Sequence, residues 1–216
     1  MKVTLEEVVE PYGPAMVKFR EGVFQCMRSR FGDFFSEEFT EKTKKLYEDT
    51  EHIKYIETLH SDMGMEPVLV HGKLYPFNVY AKYTADGNED LVAYYDWQIV
   101  HPGSIGEDIS RFLCFVYSPG ERRRRTAELL AHYHEVVVSE SAAAGIALPF
   151  SYEQVLEAFR RSFKCAALSY GCNFVHLATM DALLGDEVES GRQEALSRAK
   201  GMLEDYMALE EGNFIV

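Results

Sequence analysis

The hydrophobic pattern of the chain changes period twice. From Ser36 to His60 apolar residues recur at helical spacing, at Phe39, Leu46, Ile53 and Ile56, while Lys42, Lys44, Lys45, Glu48 and Glu51 supply a solvated face. A long amphipathic helix is predicted there. Ahead of it, Pro11, Gly13 and Pro14 interrupt any helix and Met16 to Phe31 has only weak periodicity, so no element is assigned to residues 1 to about 30.

The period then shortens to that of strands. Pro67-Val68-Leu69-Val70 is a short apolar strand, and Asn78 to Tyr83 alternates as a half-buried strand does. Ala85-Asp86-Gly87-Asn88-Glu89-Asp90 has turn chemistry, and Leu91 to Tyr95 returns as the second strand of a hairpin that delivers Asp96, Trp97 and Gln98 at its end. Tyr75, Phe77, Tyr80, Tyr83, Tyr94 and Tyr95 read as cross-strand packing, and Trp97 as core. No later strand is expected.

The remainder is helical, and local chemistry marks its boundaries. After Pro102 to Gly106, the residues Ile109, Phe112, Leu113 and Val116 share one helical face. Ser118-Pro119-Gly120-Glu121 is a capping box: the serine accepts the third residue's N–H, the glutamate bonds back, and proline takes the first helical position. The helix it opens carries Leu129, Leu130, Tyr133 and Val137 to about Gly145. Ser151-Tyr152-Glu153-Gln154 repeats the signature before Val155, Phe159, Phe163 and Ala167, and two further helices are expected, to about Asp186 and Glu210. The fold class predicted is α+β, mostly helical, with a small β hairpin. Overall it is one compact unit in which an N-terminal helical segment, 1–65, leads into a lobe, 66–216. The irregular loop 71–78 lies between strands above a helical base, where chemistry is often mounted.

Composition narrows the partners. With 216 residues, 47% of them hydrophobic, the chain can bury one sizeable core. A net charge of −13 opposes non-specific attraction to nucleic acid or anionic membrane, so neither is expected as a partner. Glu6 and Glu7 stand where a signal peptide would be apolar, and no uninterrupted run of about 18 apolar residues occurs, which predicts a cytoplasmic protein. Cys26, Cys114, Cys165 and Cys172 form no C-x-x-C pair and read as buried reduced thiols. Arg122 to Arg125 read as a solvated face, and His132 with His134, two apart, point to different sides of a helix and form no metal pair.

Two segments carry candidate chemistry: His71-Gly72-Lys73-Leu74-Tyr75-Pro76-Phe77-Asn78, and Tyr94-Tyr95-Asp96-Trp97-Gln98. Kinase-like phosphotransferases need a carboxylate that accepts the proton of the attacking hydroxyl, and oxygen ligands that hold Mg²⁺ against the nucleotide phosphates. Their sequence order is a histidine, an aspartate two positions on, an asparagine five after that, and a second aspartate past the next hairpin. The run V-H-G-x-L-x-x-x-N, a hairpin, D-W-Q and then H-P-G-S-x-x-E-D-x-x-R-x-L resembles the CHK kinase-like family, which is similar to ecdysteroid kinase-like, choline kinase and aminoglycoside phosphotransferase proteins. The resemblance is strongest from Val68 to Leu113.

The resemblance implies a protein-kinase-like C-terminal lobe of the aminoglycoside phosphotransferase type, with ATP and Mg²⁺ as cofactors and a small-molecule hydroxyl as acceptor. It implies Asn78 and Asp96 as Mg²⁺ ligands, His71 as the brace of the loop, and Asp108 as the helix-start aspartate that bonds the loop. Lys73 stands where the family carries its catalytic aspartate. A free lysine titrates near about 10.4, so one acting as a base at neutral pH must hold its proton less tightly by roughly 4 kcal/mol. The expectation is therefore a pseudokinase: an impaired lobe that serves in binding or regulation. A lysine there can instead neutralise phosphate, so a nucleotide can be bound with less need of Mg²⁺. Residues 1–65 show no succession of strands matching the nucleotide-covering N-lobe, which implies a fragment, a truncated gene model or a protein partner that supplies the lobe. Two alternatives stand beside this: an active kinase in which Asp86, Glu89 or Asp90 replaces the base, and a helical protein-interaction module with no nucleotide site.

Overall fold

The computed structural model describes residues 5–48, 58–148 and 150–213, with side chains from residue 15 onward except at Glu89. The fold is α+β and mostly helical. In order, the described elements are α1 (Leu5–Ser29), α2 (Glu37–Glu48), α3 (Leu59–Asp62), β1 (Val68–Val70), a 3-10 turn (Pro76–Asn78), β2 (Val79–Tyr83), β3 (Glu89–Tyr94), β4 (His101–Gly103), α4 (Ile105–Val116), α5 (Pro119–Ala143), α6 (Tyr152–Leu177), a second 3-10 turn (Asp181–Leu183) and α7 (Val188–Glu210). Among the described residues, no helix is long and apolar enough to cross a membrane.

The chain divides into two compact units, one formed by Thr58–Ala166 and the other by the segments before and after it. In the latter, α1 runs through Pro11 and Pro14, where the sequence pattern predicts an interruption. Each proline removes one backbone donor, and the second half of the helix supplies the anchorage through buried Val23, Phe24 and Met27. The predicted helix from Ser36 starts as expected, with Phe39 N donating to Ser36 Oγ at 3.1 Å. Its buried face is Thr40, Thr43 and Tyr47, one position on from the predicted Phe39 and Leu46. Both threonines can be buried because their hydroxyls donate to the carbonyls of Ser36 and Phe39. Glu51, Ile53 and Ile56, the rest of that expectation, lie outside the described residues.

In the Thr58–Ala166 unit the hairpin forms as predicted, β2 against β3, with a register irregularity between Tyr80 and Ala81. Its expected half-burial does not occur: Tyr80, Tyr83, Leu91 and Val92 are all exposed. A fourth strand was not expected. β4 pairs antiparallel with β1, setting Val68 opposite Gly103, Leu69 opposite Pro102 and Val70 opposite His101. His-Pro-Gly has no apolar alternation, and its pairing comes from position beside β1. Helix α4 buries Ile105, Leu113 and Cys114. It crosses α6 so closely at Gly106 that an added Cβ would lie 2.2 Å from the Ala158 carbonyl oxygen. Both predicted capping boxes are present, at Ser118 with Glu121 and at Ser151 with Gln154. Arg122 departs from the solvated face predicted for its run: it is 1% exposed, with its guanidinium 5.4 Å from the Phe163 ring centre. The stretch expected to hold a separate helix up to Asp186 is instead the continuation of α6 to Leu177 followed by a single 3-10 turn.

Candidate functional site

All five residues singled out in the sequence meet in one hydrogen-bonded network within the Thr58–Ala166 unit. Strand β1 ends at Val70, and the backbone turns at Gly72, whose φ of 81° is available to glycine at little cost. Space demands glycine as well, because a Cβ there would stand 2.6 Å from the Ile99 carbonyl oxygen. Asp108, in the first turn of α4, accepts from the N–H groups of both His71 (2.6 Å) and Gly72 (3.0 Å), and from Arg111 Nη1 (2.8 Å). The start of α4 is itself fixed by a third capping box, with Gly106 N donating to Ser104 Oγ and Ser104 N donating to Glu107 Oε1.

His71 is buried, and its partners decide its tautomer. Lys73 N–H donates to Nδ1 at 3.1 Å, so that nitrogen carries no proton, and Nε2 donates to the Tyr95 carbonyl at 3.0 Å. The imidazole thereby ties the loop to the end of β3. Trp97 covers it, with ring centres 4.3 Å apart. The indole is 43% exposed, and its N–H donates to Tyr94 O, so Trp97 is a cover at the surface and not core. Asn78 is buried at the end of the 3-10 turn, and its Nδ2 donates to the Lys73 carbonyl at 2.9 Å.

The centre of the network is the Lys73 ammonium. Its Nζ lies 3.2 and 3.1 Å from the two carboxylate oxygens of Asp96 and 2.9 Å from Gln98 Oε1. Lysine has three N–H donors, and three acceptors surround it. Asp96 presents its carboxylate from a left-handed backbone, φ 66°, just past the hairpin. Gln98 carried no role in the sequence reading, and neither did Arg111. Only the folded geometry shows that they complete the contacts of Lys73 and Asp108.

The fit to Mg²⁺ follows from this donor set. The two oxygens of Asp96 are paired with a cation, and Asn78 has committed its amide nitrogen, leaving one amide oxygen. Among the described residues no group of three or more His, Cys, Asp or Glu could hold a metal. A divalent ion about 4 Å from the ammonium would be repelled by about 8 kcal/mol at an effective dielectric of about 20. With Lys73 in this position the residues do not fit Mg²⁺. Of the acids named as replacement bases, Asp86 is engaged in its own turn, accepting from Thr84 Oγ1 and from Asn88 Nδ2, and Asp90 lies in the hairpin ladder opposite Lys82. The Glu89 side chain lies outside the described residues.

Below the site, His101 directs both ring nitrogens at acceptors, Nδ1 at Ile99 O (2.8 Å) and Nε2 at Glu107 Oε2 (3.1 Å). The Glu107 hydrogen bond raises its affinity for a proton above that of an ordinary imidazole.

No solved structure matches the chain at a significant level. A curated protein from Caenorhabditis elegans, named uncharacterized oxidoreductase dhs-27, is 32% identical over 137 residues, which are 61% of this chain and 17% of that protein. The chain thus spans under a fifth of the length of that relative. A family profile, DUF1679, described as uncharacterized oxidoreductase dhs-27, matches residues 13–214, and the chain belongs to this family.

Proposed function

We propose that this chain is the C-terminal lobe of a kinase-like small-molecule phosphotransferase that has lost phosphoryl transfer and serves in binding or regulation. The observation that carries the reading is the ion pair of Lys73 with Asp96. A cation stands where the reaction needs a proton-accepting carboxylate, and it holds the very carboxylate that would hold Mg²⁺. The loop is otherwise kept in order: Asp108 bonds two of its N–H groups, and His71 ties it to Tyr95. A lobe of this kind would offer its ordered loop to a nucleotide, ATP above all, or to a protein partner.

The name of the C. elegans relative belongs to a protein of which this alignment spans 17%. In the present chain no two glycines stand two positions apart, as a G-x-G-x-x-G dinucleotide loop requires. Both sheets among the described residues are antiparallel pairs. We assign any redox chemistry that the name denotes to the remaining length of that protein.

Thermal unfolding of the purified chain with ATP, with Mg²⁺ and with both tests the reading, together with an assay of phosphate release. A ligand at 100 times its dissociation constant adds about 2.7 kcal/mol of stability. The expected result is a raised midpoint with ATP and no turnover. Turnover that Asp96→Asn abolishes would replace the reading by an active kinase. No shift under any condition, in a chain that unfolds cooperatively, would leave a helical interaction module with no nucleotide site.

A further inference from the structure

We propose that the Lys73 ammonium is the resident cation of this site, standing in the place of a divalent metal, so that the native chain takes up no divalent ion there. The inference rests on the phosphotransferase reading of the loop, since that reading is what calls for a metal between Asn78 and Asp96. Its own support is the geometry of Lys73. A metal at this position would join the 71–78 loop to the segment after the hairpin through oxygen ligands. Lys73 makes the same junction with one residue. Its carbonyl holds Asn78 Nδ2, its N–H is held by His71 Nδ1, and its ammonium gathers Asp96 Oδ1, Asp96 Oδ2 and Gln98 Oε1.

Three acceptors for three N–H donors leave the ammonium saturated, as a cation in an oxygen cage is. The pair is shielded on both sides, with the Lys73 side chain 28% and the Asp96 side chain 26% exposed. Water therefore screens it less than an open surface pair. Asp96 gains a counter-ion that cannot diffuse away. A free divalent ion must expel that tethered charge before it gains its first anionic ligand.

Removing the charge should open the place it fills. Mn²⁺ is a suitable probe, because its electron paramagnetic resonance signal in solution falls when the ion is bound. The native chain should leave the signal of millimolar Mn²⁺ unchanged. Lys73→Met and Lys73→Gln should each take up Mn²⁺ in stoichiometric amount, and Asp96→Asn added to either should abolish the uptake. Both single variants should unfold at lower temperature than the native chain, and Mn²⁺ should restore them while leaving the native chain unmoved. If neither variant unfolds cooperatively in buffer, Mn²⁺ should restore a cooperative transition.

Uptake by the native chain that Asp96→Asn removes would overturn the proposal. So would failure of both variants to bind or respond to Mn²⁺, whether they are folded in buffer or not. Nucleotide binding has no part in these measurements, so the inference can fail while the phosphotransferase reading stands. Absence of any response to ATP, by contrast, counts against the reading alone.

Discussion

One carboxylate, Asp108, receives two successive backbone N–H groups from the turn at His71 and Gly72, and such charge-assisted bonds in a sheltered place are costly to lose. Asp108→Ala should lower stability by about 2–4 kcal/mol in urea unfolding, and Asp108→Asn by less, because its amide oxygen still accepts one of the two N–H groups. Gly72 offers a second test, with an internal control. Gly72 and Gly87 have the same φ of 81°, but a Cβ at Gly87 meets nothing within 4 Å whereas one at Gly72 strikes the Ile99 carbonyl. Gly87→Ala should cost about 1 kcal/mol of backbone strain, and Gly72→Ala clearly more, by denaturant midpoint. His101 adds a pH dependence. Folded His101 binds its proton more tightly than the unfolded chain does, chiefly through Glu107, with Asp108 adding a weaker attraction. Its contribution is complete below the ordinary imidazole value of about 6.5 and is lost as pH rises through the higher folded value. In His101→Gln the fall in stability over that interval should be shallower than in the native chain.

At the scale of elements, what was legible in the sequence is what local chemistry decides. The helix starts at Ser118 and Ser151 were readable because a capping box is complete within four residues, and Val155, Phe159, Phe163 and Ala167 are all buried as their spacing required. The loop and the hairpin end were readable as partners because their order along the chain is itself a pattern, and the structure brings them together. Features set by distant neighbours were not. Strand β4 has no period of its own, the buried position of Arg122 depends on Phe163, and the Lys73–Asp96 pair joins residues 23 apart. The cap at Ser104 is likewise complete in the sequence, as Ser104-Ile105-Gly106-Glu107, inside the longer motif around it. It is also the more sheltered cap, with Ser104 1% exposed where Ser151 is exposed. Ser104→Ala should therefore cost about 1–2 kcal/mol and Ser151→Ala no more than about 1 kcal/mol, compared in the same unfolding assay.

For the whole molecule the governing quantity is charge: 35 acidic against 22 basic residues give a net −13 at pH 7. A charge of this size works against the compact state, because the unfolded chain spreads the same charges further apart. Added salt screens that repulsion, so the unfolding midpoint at neutral pH should rise from low to moderate ionic strength, although single pairs such as Lys73 with Asp96 are weakened. A midpoint that falls with salt would mean that local pairs outweigh the net charge. Acidification acts in the same direction at first. As pH falls from 7 toward the isoelectric region near 5.0 the net charge shrinks, and His101 gains the proton that both of its acceptors favour. The trend must then reverse. Glu38, Glu121, Glu153 and Glu189 all have their carboxyls held below the ordinary range, chiefly by hydrogen bonds from Lys42, Ser118, the Glu153 backbone and Gln193 respectively. Groups with depressed folded values stabilise above their unfolded values, near about 4.3 for glutamate, and lose that contribution as pH falls through the folded ones. Stability should therefore peak between about pH 5 and 6.5, on the acidic side of neutrality. A series of urea midpoints from about pH 4 to about pH 8 decides it: a maximum above pH 7 would show that neither His101 nor the net charge governs the stability of this chain.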